Sequence, residues 1–268
     1  GENFNLSWQA RALTARAELD AFGGPGGDDP NSVQKSTFFF NRLELDGFFF
    51  NHRWEQKLVL GFQAGRRRND NPADEFHPEI EEARYKSQFF KLDWQNNLYL
   101  TLNHLLIFGF EEKLEQGSSN YSYLSSWGDY QSDFPRQSAS LASFYLQDQW
   151  RPWSQLSLTS GVRFDHHQKF GPALTFRLAA NYDWSEQQTR FKFTLGSGFK
   201  APSLYELYAP PDNLGPIGNM SLEPEKNLGW DAGLEKIFFD HLTLSLTYFE
   251  TRFRNLIQFY YGTGYQNV

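Results

Sequence analysis

The sequence predicts an all-β fold, a transmembrane antiparallel β-barrel, with about twelve strands in this chain. Three observations predict this class. Polar and apolar residues alternate along strands longer than those usual in soluble proteins, short and long connections follow one another, and tryptophans gather at the short connections. Aromatic residues make up 18% of the chain, yet its mean hydropathy is only −0.62. A membrane barrel combines these values, because each strand shows lipid only its alternate residues.

Alternation is the evidence for each strand in turn. The first part of the chain predicts two strands, at residues 3–8 and 11–22, and a longer one at 36–50 in which Asn41 shares a face with Leu43 and Leu45. The cleanest alternation lies further along, at residues 98–110, 156–165, 174–184, 190–199 and 242–251. A period of two fits these segments, whereas helical spacing fits none of them.

The connections alternate in length. Short turns are predicted near residues 51–55, 94–97, 151–154, 184–188 and 239–241, and long polar loops at 23–34, 66–80, 114–136 and 200–223. Outer-membrane barrels have short periplasmic turns and long extracellular loops. One short helix is predicted at residues 203–208, because Pro202 suits the start of a first helical turn.

The tryptophans lie in or beside the predicted short turns. Indole favours the membrane–water interface, where the ring contacts the apolar boundary and the N–H is hydrated. We therefore predict an interfacial girdle formed by Trp54, Trp94, Trp150, Trp153 and Trp184. A soluble β protein also alternates polar and apolar residues, but it does not explain a row of tryptophans on one side.

Composition excludes several classes of protein. The net charge is −7, which gives a nucleic-acid partner no electrostatic support. The chain has no cysteine, so disulfide frameworks and thiol-dependent metal or catalytic sites are excluded. No stretch is long and apolar enough for a transmembrane helix. We predict no cofactor.

Residues 137–268 carry several motifs in order. These are FYLQDQW at 144–150, LSLTSGVRFDHH at 156–167, GSGFKAPSLYELY at 196–208, NMSLEPEK at 219–226 and GWDAGLE at 229–235. In this order and spacing they resemble the barrel of TonB-dependent outer-membrane receptors of the siderophore and vitamin B12 type. Residues 1–136 resemble such a barrel only in its general pattern.

The resemblance implies a place in the outer membrane of a Gram-negative bacterium and TonB-energised uptake of a scarce large ligand, an iron–siderophore or cobalamin. We expect residues 1–268 to be one partial barrel domain, without a plug domain or TonB-contacting box. The expected partners are outer-membrane lipid and lipopolysaccharide, the TonB system acting through a plug, and the ligand. The resemblance also implies that a haem receptor would carry a histidine between residues 199–202 and 219–222; residues 203–218 contain none, which argues against haem as that ligand.

Aromatic residues of two predicted loops are the candidate ligand contacts. They are Tyr121, Tyr123, Trp127, Tyr130, Tyr205 and Tyr208. Aromatic side chains on a polar loop offer rigid contact area at low entropic cost, which suits a large ring-bearing ligand. The alternative for the first four is packing of the loops or an outer girdle. For the two in the 203–208 segment, an architectural role is the favoured interpretation.

Charged residues on the polar side of the alternation are predicted to face the lumen. They are Arg163, Arg177, Arg190 and Lys192. Their charges would meet the plug, with a solvated lumen as the alternative. Three arginines at residues 66–68 lie at an extracellular strand end, where they suit lipopolysaccharide phosphates or an anionic siderophore. Asp28 and Asp29 are too few carboxylates to specify a calcium site, so no metal site is predicted.

Two other functional classes remain as alternatives. A passive porin- or adhesin-type barrel explains the architecture but not the ordered motifs. An outer-membrane barrel enzyme needs a nucleophile or a carboxylate pair beside a histidine. Among the 6 histidines, His52 and His241 fall at predicted periplasmic turns and His104 on a lipid-facing alternation. No catalytic set can be assembled from them, so no enzyme is predicted.

Overall fold

The computed structural model describes residues 3–19, 29 and 31–268. Eleven strands form one antiparallel sheet in which each strand pairs with its neighbours in sequence. They are β1 (Phe4–Glu18), β2 (Val33–Phe49), β3 (Trp54–Asn71), β4 (Ile80–Thr101), β5 (His104–Leu124), β6 (Tyr130–Trp153), β7 (Leu156–His167), β8 (Gly171–Trp184), β9 (Thr189–Lys200), β10 (Glu225–Phe238) and β11 (Leu242–Arg254). A separate hairpin, β12 (Ile257–Tyr260) and β13 (Gly264–Asn267), follows, and α1 (Leu204–Tyr208) lies between β9 and β10.

The all-β, antiparallel prediction is confirmed. The sheet is open within the described part of the chain, since β1 and β11 pair only with β2 and β10. No helix in that part is long and apolar enough to cross a membrane.

The two sides of the sheet differ in chemistry, because side chains alternate along each strand. One side, which we term the apolar face, presents a register row across neighbouring strands: Leu6, Leu45, Leu58, Trp94, Phe110, Phe144, Phe164 and Leu174. Most of these side chains are exposed, as expected of a surface that contacts lipid. The opposite side, the polar face, carries rows such as Glu111, Ser143 and Asp165.

The first two predicted strands are one strand. β1 runs without interruption through Gln9 and Ala10, which pair with Arg42 and Asn41 of β2. The two strands predicted at 3–8 and 11–22 were therefore divided wrongly, because local polarity does not break a strand whose backbone is paired. Residues 20–22 lie outside the described residues.

The predicted turn at residues 94–97 is wrong, and so is the single strand predicted over 98–110. β4 continues to Thr101, and the chain turns at residues 102–103 before β5 begins. The consecutive polar residues around Asn96 are typical of a turn, but Asn96 lies within β4 and is 0% exposed. Its side-chain oxygen accepts a hydrogen bond from Trp54 Nε1 at 3.1 Å, whereas its Nδ2 has no hydrogen-bond partner among the described residues, so a cross-strand partner satisfies only half of this buried amide.

Two of the predicted long loops are partly strand, nearly half of residues 66–80 and most of residues 114–136. β3 extends to Asn71 and leaves residues 72–79 as the connection, whereas β5 and β6 extend so far that only residues 125–129 join them. Beyond the part of the sheet that carries the apolar face, both faces are polar, so the alternation disappears although the backbone ladder continues. The loop predicted at 23–34 lies mostly outside the described residues.

The other predicted connections are confirmed. Short turns join β2 to β3, β6 to β7 and β10 to β11, and a 3-10 turn at Ser185–Gln187 joins β8 to β9. The long segment between Lys200 and Glu225 contains the predicted helix. Ser203 caps α1, and its side chain and that of Glu206 form a reciprocal capping box.

Candidate ligand-binding site

A cavity of about 520 Å³ lies at the long-loop end of the polar face, between the extended strands β2 to β6 and the start of α1. Its lining includes Phe38, Arg67, Tyr85, Phe89, Glu115, Phe134 and Tyr205. Ligand sites in proteins are usually concave, largely apolar and of this size, with a few polar groups that orient the ligand. The cavity therefore combines the volume and the chemistry of a site for a ring-bearing ligand.

The helix α1 forms one side of this cavity because it packs against the polar face. The Tyr205 ring lies 6.2 Å from that of Phe134 on β6 and 6.4 Å from that of Tyr265 on β13. Leu207, on the same helix, is buried, as is Leu222 in the segment that returns to β10. Tyr205 itself is 48% exposed, so the helix is anchored by its apolar residues and still offers an aromatic surface to the cavity.

The arginine run at 66–68 is divided between the two faces of the sheet. The Arg67 guanidinium lies on the polar face, 4.2 Å from the centre of the Tyr85 ring, a cation–π distance. Arg66 and Arg68 lie on the apolar face, because neighbours on a strand point to opposite sides. Arg66 and Arg67 both border the cavity, but of the three only the central arginine directs its side chain toward it.

A glycine keeps the cavity open beside Arg67. A Cβ on Gly65 would lie 2.8 Å from Ser87 Oγ and 2.9 Å from the ring of Phe38, both too close. The sequence pattern did not single out this position or the lining residues Phe38, Tyr85 and Phe89. They come from three strands, and only the register brings them together; the pairing of Arg67 with Tyr85 is part of that register.

The six predicted ligand contacts occupy three places. Tyr205 lines the cavity, whereas Tyr208 is half-buried with Lys169 Nζ 4.9 Å from its ring centre. The other four lie where β5 and β6 end, and none of them lines the cavity. The rings of Tyr121 and Tyr130 are 5.9 Å apart, Tyr123 is paired with Tyr130, and Trp127 in the turn is 93% exposed. Their contact with ligand stays a prediction.

Below the cavity, the polar face carries a charge network centred on Glu111. This carboxylate is buried and contacts three cations, Lys91 Nζ at 2.6 Å, Lys113 Nζ at 2.8 Å and Arg163 Nη2 at 2.6 Å. The contacts join β4, β5 and β7. A carboxylate with three cationic partners holds all of them in one geometry, which makes this part of the wall rigid.

Arg163 connects this network to a second carboxylate. Its Nε donates to Asp165 Oδ1 at 2.9 Å, and its Nη2 donates to Ser143 Oγ at 2.7 Å. The Ser143 hydroxyl in turn donates to Asp165 at 2.6 Å. Arg163 therefore lies on the polar face as predicted, but its charge is already compensated within the wall.

The remaining predicted lumen residues also lie on the polar face. Arg190 contacts Asp183 and Glu235, and Lys192 Nζ lies 3.0 Å from Glu235. Arg177 pairs with Gly196 across the β8–β9 ladder and forms no ion pair within the described residues. Whether these charges meet a plug stays a prediction.

The tryptophans of the predicted girdle all lie on the apolar face. Trp54, Trp150, Trp153 and Trp184 are at strand ends beside short turns. Trp94 is not, since it lies well inside β4, and the turn-side position inferred for it is wrong. Near Trp150, His104 Nε2 lies 2.6 Å from Asp148 Oδ1. This histidine–aspartate pair, which the sequence pattern did not reveal, faces away from the cavity.

A second histidine–aspartate contact lies in the loop between β3 and β4. Asp29, Asp74 and His77 have ligand-type atoms within 4.8 Å of one another. Asp29 accepts hydrogen bonds from the Asn31 backbone N–H and from Asn71 Nδ2. The structure thus groups Asp29 with residues of another loop; Asp28, considered with it from the sequence, lies outside the described residues.

The fold of this loop is expected to depend on pH through Asp74. Backbone N–H groups of His77 and then Phe76 donate to its carboxylate at 2.7 and 2.8 Å and lower its pKa below the ordinary value. The stabilisation is therefore present above the ordinary aspartate pKa and is lost as the pH falls through the lowered value. Amide hydrogen exchange should show protection factors at residues 76 and 77 that fall only in acid.

Asp74→Asn provides the control for that prediction. Its amide oxygen still accepts both hydrogen bonds but does not titrate, so protection should become independent of pH. Equal pH dependence in the two proteins would contradict the assignment.

The amino-acid sequence is similar to those of a known family of β-barrel proteins. The family model described as "TonB dependent receptor-like, beta-barrel" matches residues 1–268. The vitamin B12 transporter BtuB of Vibrio cholerae is 33% identical over 121 residues, 43% of this chain and 18% of its own length. The ferric enterobactin receptor of Pseudomonas aeruginosa is 26% identical over 166 residues, 55% of this chain and 22% of its length. The chain spans about a fifth of these curated relatives.

A solved structure shows the same architecture. The siderophore receptor PirA of Acinetobacter baumannii superposes with a TM-score of 0.73 at 16% identity, covering 96% of this chain and 42% of that one. At this identity the likeness concerns the fold alone. The eleven-stranded sheet is thus the arrangement found in part of such a barrel.

Proposed function

The chain belongs to the TonB-dependent receptor β-barrel family, and from this premise we propose that it is the ligand-admitting wall of a receptor that takes up an iron–siderophore or cobalamin. Its place is the outer membrane of a Gram-negative bacterium. The observation that carries the proposal is the cavity between α1 and the extended strands, at the long-loop end of the polar face. In outer-membrane barrels that end is extracellular, so the cavity opens where ligand arrives.

The lining of the cavity supports a large ring-bearing ligand. Tyr85 and Tyr205 offer flat aromatic surfaces, and Arg67 stacks on the first of them with its guanidinium donors free of a carboxylate partner in the described residues. A guanidinium recognises carboxylate, phosphate and other anionic oxygens by paired hydrogen bonds. Siderophores and cobalamin both present rings together with such polar groups. The names of the two curated relatives support the same two ligand classes.

Energy from TonB would reach the ligand through a plug domain held inside the closed barrel. The network around Glu111 and Arg163 gives that plug a rigid wall, while Arg177 remains available for a charged partner. The edges of β1 and β11 require further strands, because unpaired backbone groups are not tolerated in lipid. Lipid and lipopolysaccharide cover the apolar face in this proposal.

A transporter explains the site better than the two alternatives do. A passive pore needs a clear lumen, whereas α1 packs over the polar face at the entrance. The barrel enzymes considered as the alternative need a nucleophile or a carboxylate pair beside a histidine, and both histidine–aspartate contacts lie away from the cavity, one on the apolar face and one in a loop. The two histidine contacts are therefore structural in this proposal.

Uptake by the intact outer-membrane protein tests the proposal. Radiolabelled cyanocobalamin and ferric complexes of catecholate and hydroxamate siderophores should be offered to cells that express it, with and without TonB. We expect uptake of one ligand class that stops without TonB. Passage of small solutes that is unaffected by loss of TonB, with no uptake of these ligands, would favour the passive porin instead.

Substitutions in the cavity should weaken that uptake. We expect Arg67→Gln with Tyr85→Leu to raise the half-saturating ligand concentration about tenfold or more, since one charge-assisted contact and one stacking surface are lost. Tyr99→Leu is the matched control, because Tyr99 lies on the same face of β4 near its opposite end. A similar effect of both variants would place the ligand elsewhere.

A further inference from the structure

We propose that six cations on the apolar face of β1 to β4 form a binding site for the phosphate groups of lipopolysaccharide in the outer leaflet. This basic patch consists of Arg16, Lys35, Arg66, Arg68, Arg84 and Lys86. All six side chains are exposed and lie on the side of the sheet that contacts lipid. The inference is independent of which ligand the receptor transports.

The register places like charges directly opposite one another. One row across the four strands is Arg16, Lys35, Arg68 and Arg84, and the next row inward brings Arg66 opposite Lys86. Directly opposed residues on neighbouring strands are about 4.5–5.5 Å apart at Cβ, and like charges in that position destabilise a sheet. An anion against this surface would relieve the repulsion that the arrangement repeats over four strands.

Among the residues that the structure describes, carboxylates neutralise only the outer part of the patch. Each of three arginines contacts an acidic residue two positions further out on its own strand: Arg16 with Glu18, Arg68 with Asp70 and Arg84 with Glu82. The other three cations, Lys35, Arg66 and Lys86, form no ion pair within the described residues. Six cations against three carboxylates leave a net charge of +3, and the uncompensated part includes the row nearest the membrane.

The patch lies directly above the lipid-contacting surface. On the same face, β2 becomes apolar at Phe39, β3 at Phe62 and β4 at Phe90, all within four residues of the patch. At about 3.3 Å per residue, this places the cations roughly one headgroup layer outside the hydrocarbon. These aromatic side chains are about 40% exposed, as lipid-facing residues are.

This position selects a phosphorylated lipid over a soluble anion. A soluble ligand reaches the polar face through the entrance, whereas the patch faces outward, where only molecules of the outer leaflet are held at high local concentration. Lipopolysaccharide carries phosphates at the headgroup level and acyl chains below, which match the cations and the phenylalanines in that order. Phosphate oxygens accept charge-assisted hydrogen bonds from both arginine and lysine.

Binding of lipopolysaccharide to the purified intact protein in detergent tests the proposal. The triple variant Lys35→Gln, Arg66→Gln and Lys86→Gln should bind phosphorylated lipopolysaccharide about 100-fold more weakly, given the contribution of each cation near an anionic lipid surface. The matched control is Arg11→Gln, Arg42→Gln and Lys192→Gln, which removes three cations from the polar face and should bind as the unmodified protein does. A charge-retaining variant, Lys35→Arg, Arg66→Lys and Lys86→Arg, should also bind normally.

Two further probes separate the source of the phosphate. Enzymatically dephosphorylated lipopolysaccharide should bind the unmodified protein as weakly as phosphorylated lipopolysaccharide binds the triple variant, and millimolar inorganic phosphate should not displace the intact lipid. Normal binding by the triple variant, equal loss in the control, or full displacement by inorganic phosphate would each overturn the proposal. If the triple variant does not fold, two other results can still overturn the proposal. One is weaker lipopolysaccharide binding by the charge-retaining variant, and the other is unchanged binding of dephosphorylated lipopolysaccharide by the unmodified protein.

Discussion

Glu111→Gln is expected to lower the free energy of unfolding of the intact outer-membrane protein by about 2–3 kcal/mol. The substitution removes the carboxylate that Lys91, Lys113 and Arg163 share and leaves three cations close together on the polar face. Breaking a buried ion pair usually costs more, but the cations are about one-third exposed and water screens part of the loss. Urea unfolding in lipid vesicles, followed by tryptophan fluorescence, measures the change.

Asp231→Asn is the matched control for the charge itself. Asp231 lies on the polar face of β10 and forms no ion pair within the described residues, so its loss should change stability by less than about 0.5 kcal/mol. If both variants lose the same stability, net charge rather than the network holds the wall, and the rigid centre assigned to Glu111 would be wrong.

Gly109→Ala is expected to destabilise the sheet by about 2–3 kcal/mol, because the added methyl group has no room. Gly109 of β5 lies under the Tyr145 side chain, which covers it from β6 and extends toward Asp93. A Cβ at this position would collide with the Tyr145 hydroxyl and lie 2.5 Å from the backbone oxygen of Trp94. The tyrosine could move, but the backbone of β4 cannot without breaking its ladder.

Gly61→Ala, on the same polar face, is expected not to destabilise the sheet. A Cβ on Gly61 would lie 3.7 Å from Lys91 Cβ, an ordinary contact, so the alanine should be neutral or stabilise by about 0.5 kcal/mol through the unfolded chain. The same urea titration compares both variants. Equal losses would mean that glycine is required for backbone conformation at both positions rather than for space at one.

The sequence predicted the strands best where the two faces of the sheet differ in polarity. Around Leu158 and Val162 on β7 the alternation marks the strand directly, and the observed strand bounds agree within a few residues. It failed at Asn96 and along the outer part of β5, for one reason. At these positions the surroundings of a side chain are formed by neighbouring strands. Neither the hydrogen bond from Trp54 nor the continued backbone ladder leaves a pattern in the adjacent sequence.

The candidate site could be predicted from the sequence only in part, for the same reason. Tyr205 was identified from its segment, but Arg67 and Tyr85 were hidden in ordinary strand pattern, because their contact depends on which residues of β3 and β4 face each other. The basic patch also depends on register. The sequence showed three consecutive arginines; only the pairing revealed that two of them join Lys35, Arg84 and Lys86 on the lipid side.

By itself, the sequence determined the all-β class, the membrane setting and the position of α1, since each follows from period, turn chemistry or a cap within a few consecutive residues. Only the tertiary structure decided the strand register, and with it the cavity, the Glu111 network and the patch of cations. Register brings together residues that are far apart in the chain. The backbone hydrogen bonds between strands do not depend on the side chains, so no short segment shows which residues will lie opposite one another.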